Sequence, residues 1–140
     1  MGRLSLSECN PKELSPLTLA FVGDGVYDLI VREELVCSAN RPVGQLNKLK
    51  VEIVRCQAQA KMYNTIEPFL TEEETDVFKR GRNAHTSHTP KNASSAEYHL
   101  ATGLEALFGY LYLSDRIDRI RELFKIYSEN AEFFSDKETK

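Results

Sequence analysis

A chain of 140 residues, 41% hydrophobic and 28% charged, has the length and balance of one globular domain and excludes a disordered or fibrous protein. No apolar run reaches membrane-spanning length without a charge, and the N-terminus lacks the basic start, apolar core and small-residue cleavage site of a secretory leader, so neither a membrane nor a secreted protein is expected. The net charge of −3 hides a local bias: residues 79–92 carry Lys79, Arg80, Arg82 and Lys91 with no acid.

In chain order, residues 1–15 lack periodicity and read as a loose lead-in. Ser15-Pro16 is a helix start, an N-cap followed by a first-turn proline. Residues 17–36 are densely apolar, and their length favours a helix over a strand. Residues 38–42, Ser-Ala-Asn-Arg-Pro, break the chain. Residues 44–63 then read as one helix or two consecutive ones, ended by Pro68. Thr71-Glu72-Glu73-Glu74 is a capping box opening a short helix through Val77 and Phe78. Residues 81–92 have the composition of an exposed loop. Ser94-Ser95-Ala96-Glu97 is a second capping box, before a helix carrying Leu100, Leu104, Leu107, Phe108 and Leu111. Ser114 is expected to cap a last helix with Ile117, Ile120, Leu123, Phe124 and Tyr127 at helical spacing, and a charged tail follows from Ser135. The pattern predicts an all-α helical bundle in one domain spanning 1–140, its core about 14–134. Cys9, Cys37 and Cys56, odd in number and without a CxxC pair, fit reduced thiols in the cytoplasm.

Chemistry concentrates at two acids. Asp24 lies between Gly23 and Gly25 in an apolar segment, where an unpaired charge costs several kcal/mol to desolvate. Either the glycines make a turn that takes Asp24 to water, or Asp24 lies in a cleft and meets a cation. Asp-Gly spacing by itself favours the turn. Eighty-one residues on, Glu105 is the one acid of another apolar run, flanked by Leu104, Ala106, Leu107 and Phe108. Gly103 and Gly109 cost that helix stability, a cost that close packing against another helix would explain. Two carboxylates from separate helices match the way Mg²⁺ is held, with waters and a substrate phosphate completing its oxygen shell. The basic segment is the second constellation. Lys79, Arg80, Arg82, Asn83 and His85, with Lys91 and Asn92, could follow phosphates or enter the groove of a duplex, and Lys48, Lys50 and Arg55 could extend that surface. His85 and His88 form HxxH with no third ligand at a useful spacing, which argues against zinc.

The residues resemble a known family. Phe21-Val22-Gly23-Asp24-Gly25-Val26 resembles the F-L-G-D-[SA]-V signature of ribonuclease III, and residues 104–111, Leu-Glu-Ala-Leu-Phe-Gly-Tyr-Leu, resemble its second motif. Between them Gly44, Leu46, Leu49, Lys50 and Val54 are similar to the family's middle segment. Closer still is the short branch called Mini-ribonuclease III, which shares Lys79-Arg80-Gly81-Arg82-Asn83-Ala84 and Thr89-Pro90-Lys91-Asn92.

The resemblance implies an all-α ribonuclease III domain working as a homodimer. It implies Mg²⁺-dependent cleavage of double-stranded RNA, with Mn²⁺ as a substitute, to 5′-phosphate and 3′-hydroxyl ends. In the short branch the role is maturation of precursor 23S ribosomal RNA, with assistance from a ribosomal protein left open. The separate double-stranded-RNA-binding domain of longer members has no room here, which hands part of its work to the basic segment. Asp24 and Glu105 fall on the metal-binding, catalytic positions. Three further acids of the longer enzymes fall on Leu17, Ala20 and Thr102, so the centre is pared down and the number of metals is open. A rival reading draws on that loss: a ribonuclease III-like module that dimerises and binds structured RNA without cutting it.

Overall fold

The computed structural model describes residues 2–84 and 95–130, and among these every regular element is helical. The chain runs through α1 (Pro16–Ser38), α2 (Val43–Val54), α3 (Cys56–Ile66), α4 (Glu72–Arg82), α5 (Ser95–Leu113) and α6 (Ile117–Asn130). The all-α expectation holds.

Local chemistry explains most of the boundaries. Ser15 Oγ accepts from the amide of Thr18 at 3.3 Å, and Pro16 takes the first helical position, where its missing N–H is no loss. α1 then runs unbroken through Gly23-Asp24-Gly25, so the turn reading of that segment is overturned. At Thr71 both bonds of the capping box form: Thr71 Oγ1 accepts from the Glu74 amide at 3.1 Å, and Glu74 Oε1 accepts from the Thr71 amide at 2.9 Å. Residues 44–63 are two helices, parted at Arg55, whose backbone is extended (φ −73°, ψ 163°).

Three expectations are corrected. The segment from Gly81 is not all loop, because α4 continues to Arg82 and its Gly81 is buried against α5. Ser114 does not cap α6. It lies in the turn that closes α5, where Asp115 takes a left-handed backbone (φ 63°). There the Arg116 amide donates to Leu111 O and the Asp115 amide to Tyr112 O, both at 2.9 Å, in the pattern that usually calls for glycine. The lead-in is also tied down at points, since the amide of Arg3 donates to Asp115 Oδ1 (3.0 Å) and that of Leu4 to the Tyr112 hydroxyl (2.6 Å). The capping box at Ser94 and the tail from Ser135 lie outside the described residues.

α5 is the axis of the bundle. It is buried on nearly every face, from Ala101 to Leu104 and from Ala106 to Leu111, as its lack of a polar stripe requires. α1, α3, α4 and α6 all pack against it. The core is filled by Tyr27, Met62, Ile66, Phe78, Phe108 and Phe124, among others. Two pairs of glycines bring backbones together. Gly23 of α1 meets the backbone of α5 at Glu105 and Gly109, while Gly109 meets α1 at Leu19 and Gly23. On an adjoining face of α5, Gly81 of α4 lies against Gly103 and Ala106. A side chain at any of these positions would hold the helices apart.

Candidate active site

The Gly23–Gly109 crossing places the residue after Gly23 beside Glu105. Asp24 is exposed and Glu105 half-buried. The two carboxyl groups lie within hydrogen-bonding reach of each other. Burial first, and then the charge of Asp24, push the Glu105 carboxyl up to about 8, far above its ordinary range. Asp24 thus reaches water from within a helix, and not from a turn, with a second acid as its neighbour.

A third side chain completes this cluster. Gln59 of α3 is 2% exposed, and its Nε2 donates both to Val54 O (2.7 Å) and to Glu105 Oε2 (3.3 Å). The break at Arg55 leaves the Val54 carbonyl without a helical partner, and the Gln59 amide supplies one. Sequence reasoning missed Gln59, reading residues 44–63 as a mix of basic and polar positions. A signal was present: Gln59, Met62 and Ile66 lie at i, i+3 and i+7, a stripe that otherwise faces the core.

Among the described residues no group of three or more His, Cys, Asp or Glu side chains comes together. The donor set is thus two carboxylates. That suits a hard cation that keeps waters and takes substrate oxygens, and it does not suit a four-ligand zinc site. The raised proton affinity of Glu105 fits the same ion, because a cation between the two carboxyl groups would relieve the repulsion that now keeps a proton there. Of the positions matched to acids in longer ribonuclease III enzymes, Ala20 is buried and Leu17 half-exposed. Thr102 gives its hydroxyl proton to Tyr98 O at 3.0 Å, leaving only its lone pairs for a water.

The basic residues divide. Lys79, Arg80 and Asn83 are exposed at the end of α4, where the Gly81–Gly103 contact carries that end across α5 close in sequence to Glu105. Arg82 is half-buried, its guanidinium 5.8 Å from the centre of the Phe78 ring and bonded to Asn83 Oδ1 at 3.1 Å. Lys50 is half-buried and ion-paired with Asp28 of α1 at 3.4 Å. Arg55 pairs with Glu52 at 3.2 Å. His85, His88, Lys91 and Asn92 lie outside the described residues.

Comparison with known proteins agrees with this geometry. Residues 17–116 match the Ribonuclease III domain family. A Mini-ribonuclease 3 of Thermoanaerobacter sp. is 43% identical over 130 residues, covering 90% of this chain and 92% of its own. One from Symbiobacterium thermophilum is 42% identical over 123 residues, covering 88% and 95%. A crystal structure of a Fusobacterium nucleatum protein superposes with a TM-score of 0.77 at 30% identity, covering 84% of this chain and 97% of that one. With both signature segments at one helix crossing and relatives matched over nearly their full length, this chain belongs to the ribonuclease III family, in its Mini-ribonuclease III branch, and is an endoribonuclease.

Proposed function

We propose that the chain hydrolyses double-stranded RNA to 5′-phosphate and 3′-hydroxyl ends, using Mg²⁺, or Mn²⁺ in its place, held by Asp24 and Glu105. The observation that carries this reading is the meeting of those two carboxyl groups from α1 and α5. When bound, the ion supplies a Lewis acid for the phosphodiester and makes water a stronger acid. Asp24, exposed at the surface, is the side chain that substrate reaches first. Glu105, half-buried and hydrogen-bonded by Gln59, is the fixed member of the pair. A cation held by the pair would take the place of the proton on Glu105.

Lys79, Arg80, Arg82 and Asn83, with His85, Lys91 and Asn92, follow the RNA backbone. Lys50 can join them only by leaving Asp28. The substrate in the cell is precursor 23S ribosomal RNA, and a ribosomal protein that presents it is compatible with this scheme. The working unit is a homodimer. In support, α1 exposes Leu17 (42%), Phe21 (82%) and Leu29 (53%) at intervals of four and eight residues, one apolar stripe along the helix that carries Asp24. Beside the stripe runs a groove of about 650 Å³ lined by Val22, Val26, Ile120 and Phe124. Tyr27 is no part of that face: it is 1% exposed and donates to Ile53 O at 3.2 Å.

Cleavage of a long RNA duplex tests the reading, with wild type beside Asp24→Asn and Glu105→Gln. Wild type is expected to cut in Mg²⁺ and to stop on chelation, while both variants remain folded and bind the duplex without cutting it. Duplex binding by wild type with no cleavage in either Mg²⁺ or Mn²⁺ would overturn the proposal in favour of an inactive RNA-binding module.

A further inference from the structure

Three polar side chains are buried among the described residues, and two of them have evident work. Glu74 caps α4 and pairs with Arg119. Thr102 bonds back to its own helix. Gln59 is the third. Its Nε2 has two hydrogens and uses both, one on Val54 O and one on Glu105 Oε2. Its Oε1 is buried with no hydrogen-bond partner among the described residues.

Satisfying the Val54 carbonyl would explain only half of this arrangement. A buried acceptor left unmade costs about 1–3 kcal/mol, and such groups concentrate where function demands them. Here the amide with the unmade acceptor touches the carboxylate of the candidate centre.

We propose that Gln59 is a positioning residue for the Asp24–Glu105 centre. Anchored by its shorter bond to Val54 O, the amide holds the Glu105 carboxylate in the orientation that meets Asp24, so that a cation finds both donors already placed. It acts through Glu105 and not on the cation itself, as outer hydrogen-bond partners do for metal-ligating side chains in general. This also gives the break at Arg55 a use, because the carbonyl freed there is the anchor for the clamp. The inference rests on the metal-centre reading above, and its test separates the two.

Mn²⁺ binding to the whole chain without RNA, followed by calorimetry, is compared for wild type, Gln59→Met and Asp24→Asn. Methionine keeps the length and packing of glutamine and loses both hydrogen bonds. Gln59→Met is expected to keep wild-type helicity and to bind Mn²⁺ about 10–100-fold more weakly. With duplex RNA at saturating Mg²⁺, its kcat should fall while KM stays within about twofold of wild type, the split that marks a group acting only at the reacting centre. Should Gln59→Met fail to fold, Gln59→Asn, one methylene too short to span both partners, carries the same expectation. Unchanged Mn²⁺ affinity in the Gln59 variant, with affinity lost in Asp24→Asn, would overturn the role of Gln59 and leave the metal centre standing. Unchanged affinity in Asp24→Asn as well would remove the centre and this inference with it.

Discussion

A half-buried carboxyl facing another carboxyl holds its proton to unusually high pH, and for Glu105 this makes folding itself sensitive to pH. The folded group titrates at about 8 against an ordinary 4.5, so the folded chain binds the proton more tightly than the unfolded chain does. That contribution to stability is fully present below about pH 4.5 and is lost as the pH rises through about 8. Metal-free Glu105→Gln, which cannot ionise, is expected to melt with a flatter pH profile and above wild type at pH 8. Parallel melting profiles across that range would contradict the geometry. Tyr127 offers a second test at this scale. Its hydroxyl is buried with no partner among the described residues, and its ring packs against Phe124 with centroids 5.9 Å apart. Tyr127→Phe keeps the ring and removes the unsatisfied group, so thermal melts should show stability unchanged or raised by about 1 kcal/mol. Asp24 and Glu105 were legible in the sequence because each is an isolated acid in an apolar segment. Gln59 was legible only through its register with Met62 and Ile66, since an uncharged polar residue in a mixed helix shows no chemistry of its own that marks it as buried.

Among the elements, the helix crossings decide where the chemistry sits. A methyl group on Gly23 would occupy the place of the Glu105 carbonyl, whereas one on Gly44, in the first turn of α2, meets nothing within 4 Å. Gly23→Ala should cost about 3 kcal/mol or more through overpacking. Gly44→Ala should be neutral or stabilise by about 0.5–1 kcal/mol through the helix propensity of alanine. Denaturant melts of the two variants measure the contrast, and equal effects would sink it. The α4–α6 contact depends on charge instead. Glu74, 3% exposed, receives Arg119 Nε at 2.7 Å and Nη2 at 2.8 Å, and Arg119 also donates to Phe69 O at 2.7 Å. Arg119→Met would leave Glu74 buried and unpaired, at an expected cost of about 3 kcal/mol in the same melts. Helix starts at Ser15 and Thr71 were readable because each cap is a local hydrogen bond between residues three apart. The end of α4 was not, because Gly81 looks like a breaker in sequence and serves in the fold as a contact surface for α5. The start of α6 was misplaced for a related reason: Ser114 has the chemistry of a cap, yet the turn at Asp115 places it at the end of α5.

For the whole molecule, the exposed apolar stripe of α1 is the feature a single chain explains least. If it is the dimer face, Phe21→Asp should shift the sedimenting species from dimer to monomer and reduce duplex cleavage, with helicity retained. A variant that stays dimeric would place the interface elsewhere. In this architecture a helix buried on nearly all sides, α5, is the support against which α1 carries Asp24 and α4 carries Lys79, Arg80 and Asn83.

The sequence by itself determined the helical class, two of the capped starts, the two signature acids and the family, because periodicity, caps and short motifs are properties of neighbouring residues. The tertiary structure alone decided that Gly-Asp-Gly is helix and not turn. It decided that Lys50 is paired with Asp28 and that a glutamine on α3 reaches the carboxylate on α5. Each of those outcomes depends on which helix lies against which, and at Gly23, Gly81, Gly103 and Gly109 that is settled by backbones approaching where a side chain is missing.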